Sequence, residues 1–137
     1  MSVVLDASIV MASLFEEQNH EAASIIIANA IDEGLIAPSL WRLEIANALG
    51  MAVRRKRCDE AFVDRSLGRL DAMSVRIDVE TDIHAWNETL DLSRGEGLTL
   101  YDAAYLELAI RTGASLASFD QDLVDAARRR GVDVLTA

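Results

Sequence analysis

The sequence lacks the features that mark secreted and membrane-spanning proteins. Its 137 residues contain a single cysteine, Cys58, which excludes an internal disulfide and a zinc site built from cysteines. No stretch approaches the roughly 20 uninterrupted apolar residues that a membrane helix needs. The N-terminus has no basic region followed by a cleavage site, so it does not form a secretory signal. We therefore expect a cytoplasmic protein with no membrane association.

Positive charge is also scarce. The chain carries 13 Lys and Arg against 23 Asp and Glu, for a net charge of −10. Such a balance argues against a nucleic-acid partner, unless divalent cations neutralise several of the acids. The basic residues are unevenly placed, and two clusters stand out, at 54–57 and 128–130. Both clusters could equally end helices, where positive charge complements the helix dipole.

The pattern along the chain predicts one α/β domain spanning residues 1–137. Hydrophobic residues make up 51% of the sequence, which is enough to fill a single core. Short apolar runs predict strands at 3–5, 35–37, 75–79, 115–119 and 132–135. Helical periodicity predicts helices at about 8–15, 20–33, 39–57, 59–72, 82–93, 99–112 and 120–130. This alternation predicts a three-layer α/β/α domain with a central, mainly parallel sheet of 4–5 strands.

Four acids lack the ordinary explanation of a basic residue one helical turn away. Glu107, by contrast, has Arg111 at i+4 and is explained as a helix-surface pair. The four unexplained acids are Asp6, Glu44, Asp102 and Asp120. Two of them, Asp6 and Asp120, directly follow apolar strands. In open α/β sheets ligands bind beyond the carboxyl ends of the strands, so both should point to the ligand site.

Each acid also has a structural explanation. Asp6 and Asp120 could be N-caps of the helices that follow them. Glu44 could be a buried acid that pairs with a distant arginine. Asp102 stands three residues after Thr99, as in a capping box, although that motif usually ends in Glu or Gln.

The four acids together are stronger evidence for a metal site than any one of them alone. Gathering several carboxylates in one pocket without a cation costs several kcal/mol in repulsion and desolvation. A divalent cation removes that cost, and a set of oxygen ligands without His or Cys selects Mg²⁺ or Mn²⁺ over Zn²⁺. His20 and His84 fall in helical segments distant in sequence from these acids, and we do not expect them to be ligands.

The order and context of these acids resemble the PIN domain, and especially the VapC toxins of type II toxin–antitoxin systems. The matching segments are VLDAS at 4–8, LEIANAL at 43–49, LTLYDAAYLELA at 98–109 and LASFDQDL at 116–123. The first and last are short, whereas the third is distinctive. The resemblance covers essentially the whole chain.

The resemblance implies a function and its residues. Asp6, Glu44, Asp102 and Asp120 would be the catalytic and metal-site acids, Ser8 would help to organise the site, and Asp122 would be an additional acid near its rim. The cofactor would be Mg²⁺ or Mn²⁺, and the reaction would be endonucleolytic cleavage of tRNA or ribosomal RNA. The family also implies a homodimer and a cognate VapB-type antitoxin that blocks the site.

RNA that enters an acidic pocket needs positive charge around it. The candidates for this contact are Arg42, Arg54, Arg55, Lys56 and Arg57. The alternative to a nuclease is a non-catalytic PIN-like module that binds RNA or protein. A receiver domain would need a lysine after a late strand, and a haloacid-dehalogenase-like phosphatase would need Asp-x-Asp where this chain has Asp6-Ala7-Ser8.

Overall fold

The computed structural model describes residues 1–137 and contains one five-stranded sheet in which every neighbouring pair is parallel. The strands are β1 (Val3–Leu5), β2 (Leu35–Ala37), β3 (Arg76–Ile77), β4 (Ser115–Ala117) and β5 (Val134–Leu135). Eight helices connect and cover them: α1 (Ala7–Leu14), α2 (His20–Ala30), α3 (Trp41–Arg54), α4 (Glu60–Asp71), α5 (Thr81–His84), α6 (Glu88–Glu96), α7 (Leu100–Thr112) and α8 (Gln121–Arg129). The predicted three-layer α/β/α fold is confirmed.

The strand order β3-β2-β1-β4-β5 places the first strand at the centre. Val4 of β1 is in register with Ile36 of β2 on one side and with Leu116 of β4 on the other. The chain proceeds from β1 outward to β2 and β3 on one side, and then from β4 outward to β5 on the other side. The direction of the connections therefore reverses between β1 and β4. Such a reversal opens a crevice at the carboxyl ends of the two strands, where ligands bind in open α/β sheets.

The core explains why the central strands read as unbroken apolar runs. All residues of β1 and β2 are buried, which requires helices against both faces of the sheet. Helix α7 lies across β1 and presents an almost continuous buried stretch from Ala103 to Ala109. Every helix of the chain is too short or too polar to span a lipid bilayer.

The structure corrects several predicted boundaries. The helix predicted at 82–93 is two helices, α5 and α6. The second continues through Gly95 to Glu96 and is capped by Gly97, which adopts a left-handed conformation (φ 68°). The pattern failed here because Ile83 and Trp86 are 66% and 86% exposed and form no core stripe. The strand predicted at 75–79 is limited to Arg76–Ile77, at the sheet edge.

Candidate functional site

The crevice between β1 and β4 holds the first and last of the four acids. Asp6 follows β1 directly, and its backbone N–H bonds the carbonyl of Ala117 at the end of β4 (3.0 Å). Asp120 follows β4 by three residues. The structure therefore places both acids beyond the carboxyl ends of their strands, where ligands bind in sheets of this kind.

Each of the four acids lies at the N-terminus of a helix. Asp6 and Asp120 occupy the N-cap positions of α1 and α8, while Glu44 and Asp102 lie in the first turns of α3 and α7. Helix N-termini carry partial positive charge from the unpaired backbone N–H groups. Four such termini partly offset the negative charge of the acids that they carry.

Asp6 is the most deeply buried of these acids, with 5% of its surface exposed. Its Oδ2 accepts hydrogen bonds from the hydroxyls of Ser8 and Ser118, each at 2.7 Å. Burial raises the pKa of Asp6, the two hydroxyls lower it in part, and the nearby charges of Glu44 and Asp120 raise it further. The buried carboxylate thus has hydroxyl partners but no cationic one.

The hydroxyls of Ser8 and Ser118 also bind backbone groups of the segment that follows β4. Ser8 Oγ accepts the backbone N–H of Phe119, and Ser118 Oγ accepts the backbone N–H of Asp120, each at 3.0 Å. Ser8 thus contacts both Asp6 and Phe119, and its organising role stays a prediction. Ser118 is fully buried and was not predicted as a site residue, although a small polar residue directly after a strand was a signal available in the sequence.

Glu44 is half-buried, and its partner is a tyrosine rather than the distant arginine considered from the sequence. Tyr105 of α7 donates its hydroxyl to Glu44 Oε1 at 2.5 Å. Burial raises the pKa of Glu44, the tyrosine hydrogen bond lowers it in part, and the charge of Asp102 raises it. Burial and the charges of Asp6 and Glu44 raise the pKa of Tyr105, so this phenol stays protonated and acts as a donor.

Asp102 is half-buried, and only half of the predicted capping box is present. Thr99 accepts the backbone N–H of Asp102 at 3.1 Å, whereas no return bond from the Asp102 carboxylate is formed. Burial raises the pKa of Asp102, and the charges of Asp120, Asp6 and Asp122 raise it further. Its carboxylate is therefore close to the other acids and is free of the capping role.

Asp120 has both of the roles considered for it. Its Oδ1 accepts the backbone N–H of Leu123 at 3.1 Å and so caps α8. Its charge also raises the pKa values of Asp6 and Asp102, which places it in the same acidic cleft. Asp122, in the first turn of α8, is exposed, and its charge also raises the pKa of Asp102.

The donor set of the cleft suits a hard divalent cation. It consists of oxygen atoms alone, and none of the four acids forms an ion pair with Lys, Arg or His. No three acids are close enough, as their side chains stand, to hold an ion together. Binding of one ion by three of them would therefore require some of these side chains to rotate. His20 and His84 bond the Ala12 carbonyl and Glu88, outside the four-acid set.

The candidate RNA-binding residues separate into two groups. Arg57 pairs with Glu17 and lies over the ring of Phe15, 4.7 Å from its centre. Four others are exposed and form no ion pair: Arg42, Arg54, Arg55 and Lys56. Arg42 lines a groove between α3 and α4, and lies about 200° around the helix axis from Glu44.

Comparison with known proteins identifies a family and one curated relative. Residues 3–129 match the PIN domain family. The chain is 29% identical over 125 residues to Ribonuclease VapC3 of Pyrobaculum aerophilum, and this match covers 91% of this chain and 94% of the relative.

Solved structures share the fold along nearly the whole chain. PAE2754 from Pyrobaculum aerophilum matches with a TM-score of 0.70 and 27% identity, over 98% of this chain and 84% of its own. FitAcB from Neisseria gonorrhoeae matches with a TM-score of 0.60 and 15% identity, over 97% and 96% of the two chains. FitAB bound to an IR36 DNA fragment matches with a TM-score of 0.63 and 18% identity, over 98% and 94%.

Proposed function

The chain belongs to the PIN domain family, and from this premise we propose that it is a Mg²⁺- or Mn²⁺-dependent endoribonuclease and the toxin of a type II toxin–antitoxin system. The observation that carries the proposal is the Asp6 carboxylate, buried at the crevice between β1 and β4 among three further acids and without a cationic partner. A buried, uncompensated carboxylate is costly, and sites that bear such a cost are commonly functional. The relative named Ribonuclease VapC3 supports RNA as the substrate.

The metal would be held chiefly by Asp6 and Asp102, with Glu44 and Asp120 completing its ligands directly or through water. When bound, such an ion polarises the scissile phosphate and lowers the pKa of a coordinated water. The hydroxyls of Ser8 and Ser118 hold one oxygen of Asp6 and leave the other without a hydrogen bond. This arrangement fixes the carboxylate while keeping an oxygen available.

Glu44 and Asp120 are the residues that we propose position or deprotonate the attacking water. Glu44 keeps Oε2 free, because its one hydrogen bond engages Oε1. Burial raises its pKa, which brings its basicity closer to that of a useful general base. We assign Glu44 to orient a water molecule and accept its proton as the water oxygen bonds to phosphorus. The phosphorus–oxygen bond opposite the incoming water breaks, and the leaving ribose oxygen takes a proton from solvent. The RNA would be a tRNA or a ribosomal RNA.

The decisive experiment is cleavage of total cellular RNA by the purified, antitoxin-free protein. Reactions with Mg²⁺, Mn²⁺ or EDTA are compared for the wild type and for Asp6→Asn. Asp64→Asn is the matched control, because Asp64 is exposed on α4 and forms no ion pair or side-chain hydrogen bond. We expect discrete fragments that require metal, persist in Asp64→Asn and disappear in Asp6→Asn.

The outcomes separate the proposal from its alternative. Cleavage by Asp6→Asn at the wild-type rate, or cleavage that is unaffected by EDTA, would contradict the assigned site. A folded wild type that binds RNA without cutting it under any metal would instead indicate a non-catalytic PIN-like binding module. Sequencing of the fragment ends would identify which RNA is cut.

We also propose a VapB-type antitoxin as partner. The net charge of −10 and the uncompensated acids of the cleft favour a basic partner that inserts a positive side chain among them. Such a protein, purified with this chain from its own cells, should inhibit RNA cleavage when added back. It should bind the Asp6→Asn/Asp102→Asn variant less tightly, because that variant lacks two of the charges that attract it. Equal affinity for both forms would contradict insertion into the cleft.

A homodimer is proposed from the exposed apolar residues of one segment. Val79, Ile83 and Trp86 are 91%, 66% and 86% exposed, all between β3 and α6. Large exposed apolar side chains this close together in sequence favour an interaction surface. Sedimentation analysis should give a dimer for the wild type and a monomer for Trp86→Asp, while Ile25→Asp, at a residue of α2 that is 53% exposed, stays dimeric. A monomeric wild type would contradict this proposal.

A further inference from the structure

Tyr105 is a buried residue of α7 whose hydroxyl contacts one of the acids of the cleft. It lies on α7 three residues after Asp102, so that the two side chains are neighbours along one side of the helix. Its side chain is fully buried, and its hydroxyl donates to Glu44 Oε1 at 2.5 Å across 61 residues of sequence. This is the one hydrogen bond that the structure gives to the Glu44 carboxylate.

The bond restrains a side chain that would otherwise be free to leave the cleft. Glu44 has three rotatable side-chain torsions, no basic partner, and Asp102 as a repelling neighbour. Rotation toward solvent would relieve that repulsion. The phenol opposes this rotation, because α7 and the core around it fix the ring. Phenylalanine would fill the same core volume without a polar atom, so packing alone does not require the hydroxyl.

We propose that Tyr105 is a positioning residue that holds Glu44 in the cleft, with Oε1 engaged by the phenol and Oε2 left free for the proposed metal ion. The inference rests on the proposed function. Residues that orient metal ligands through hydrogen bonds typically contribute about 10–100-fold to metal affinity or activity. Tyr105 has this relation to Glu44, as Ser118 has to Asp6.

Mn²⁺ binding by the full chain, followed by electron paramagnetic resonance, tests the inference. Tyr105→Phe should weaken binding about tenfold and raise the Mn²⁺ concentration that half-saturates RNA cleavage by a similar factor. Excess Mn²⁺ should restore much of the lost rate, since the variant is impaired in holding Glu44 in place for the metal and not in the chemical step. Tyr101→Phe is the matched control on the same helix, because Tyr101 is exposed and its hydroxyl has no hydrogen-bond partner.

A double variant separates positioning from general stability. Glu44→Gln removes the ligand charge, so Tyr105→Phe should cause no further loss of Mn²⁺ binding in that background. An equal loss in both backgrounds, unchanged binding by Tyr105→Phe, or failure of that variant to fold would each overturn the inference. If the wild type itself binds no Mn²⁺, the metal site of the proposed function fails, and the inference fails with it. Wild-type binding with an unaffected Tyr105→Phe overturns the inference alone.

Discussion

The hydroxyl of Ser118 lies 2.7 Å from Oδ2 of Asp6, although 112 residues separate the two in sequence. The same hydroxyl oxygen accepts the backbone N–H of Asp120 at 3.0 Å. One fully buried serine therefore links the acid after β1 to the acid that caps α8. The shape of the acidic cleft depends on this link as well as on the acids themselves.

We predict that Ser118→Ala lowers the free energy of unfolding by about 1–3 kcal/mol, because the Asp120 N–H loses its partner and Asp6 loses a donor in a buried place. RNA cleavage should fall as well, since Asp6 is less firmly held. Urea denaturation and an RNA cleavage assay measure the two effects.

Ser115→Ala is the control for that variant, since Ser115 lies on β4, three residues before Ser118, and its hydroxyl bonds only the sulfur of Met1. Its stability should stay within about 0.5 kcal/mol of the wild type. Equal stability of the two alanine variants would show that the Ser118 link contributes little.

The sequence predicted which acids are the candidate site residues, but not the side chains that contact them. Asp6 and Asp120 became candidates because each directly follows a predicted apolar strand, and that signal is local in the sequence. The bonds from Ser118 to Asp6 and from Tyr105 to Glu44 join residues distant along the chain, and no local pattern reveals such a pairing. The pairing of Arg57 with Glu17 was hidden for the same reason.

Asp6→Asn should stabilise the metal-free protein. The amide keeps an acceptor for the two serine hydroxyls and removes a buried charge that nearby acids repel. In EDTA at neutral pH we expect a gain of about 1–3 kcal/mol in the free energy of unfolding. Denaturation by urea measures it, and Asp64→Asn on the surface of α4 should show no such gain.

The gain from Asp6→Asn should depend on pH in a defined direction. Because the folded pKa of Asp6 is raised above its unfolded value near 4, the native state binds more protons in the window between them. The wild type therefore gains stability as pH falls through the folded pKa, and the advantage of Asp6→Asn shrinks there. An advantage that stays constant from neutral pH down to the unfolded value would contradict a raised pKa.

Arg111→Met should destabilise the fold strongly. The Arg111 guanidinium bonds Glu107 at 2.7 Å and Asp78 at 2.6 Å, and thereby joins α7 to the end of β3. Both acids are largely buried, so removal of the cation leaves two uncompensated charges. We expect a loss of about 2–4 kcal/mol by urea denaturation, somewhat less than for a fully buried pair. Arg94→Met is the control, since Arg94 is exposed at the end of α6 and unpaired.

Low pH should reduce the loss of stability that Arg111→Met causes. Burial alone would raise the pKa of Asp78, but the hydrogen bonds from Arg111 and Thr81 outweigh it and lower the pKa. The stabilisation by Asp78 is therefore complete above its unfolded value near 4 and is lost as pH falls through the folded value. The difference between wild type and Arg111→Met should be constant near neutrality and shrink below about pH 4. A deficit that grows in acid would contradict this origin.

Neutralising the free part of the basic cluster should weaken RNA binding in a salt-dependent manner. Arg54, Arg55 and Lys56 are exposed without ion pairs, whereas Arg57 is engaged by Glu17. For single-stranded RNA, each neutralised phosphate adds about 0.7 to the slope of log affinity against log salt. Changing all three residues to Gln should thus flatten the slope by about 2, as measured by fluorescence anisotropy in an Asp6→Asn background that cannot cut the RNA.

The control must remove the same charge elsewhere, because a change in net charge alone alters the long-range attraction of RNA. Three exposed arginines without ion pairs serve this purpose in a second triple Gln variant: Arg65, Arg69 and Arg94. This variant should keep the wild-type salt slope, since its residues lie on α4 and α6 rather than at the end of the helix that carries Glu44. If both variants give the same slope of log affinity against log salt, residues 54–56 do not contact RNA and only complement the negative C-terminus of α3.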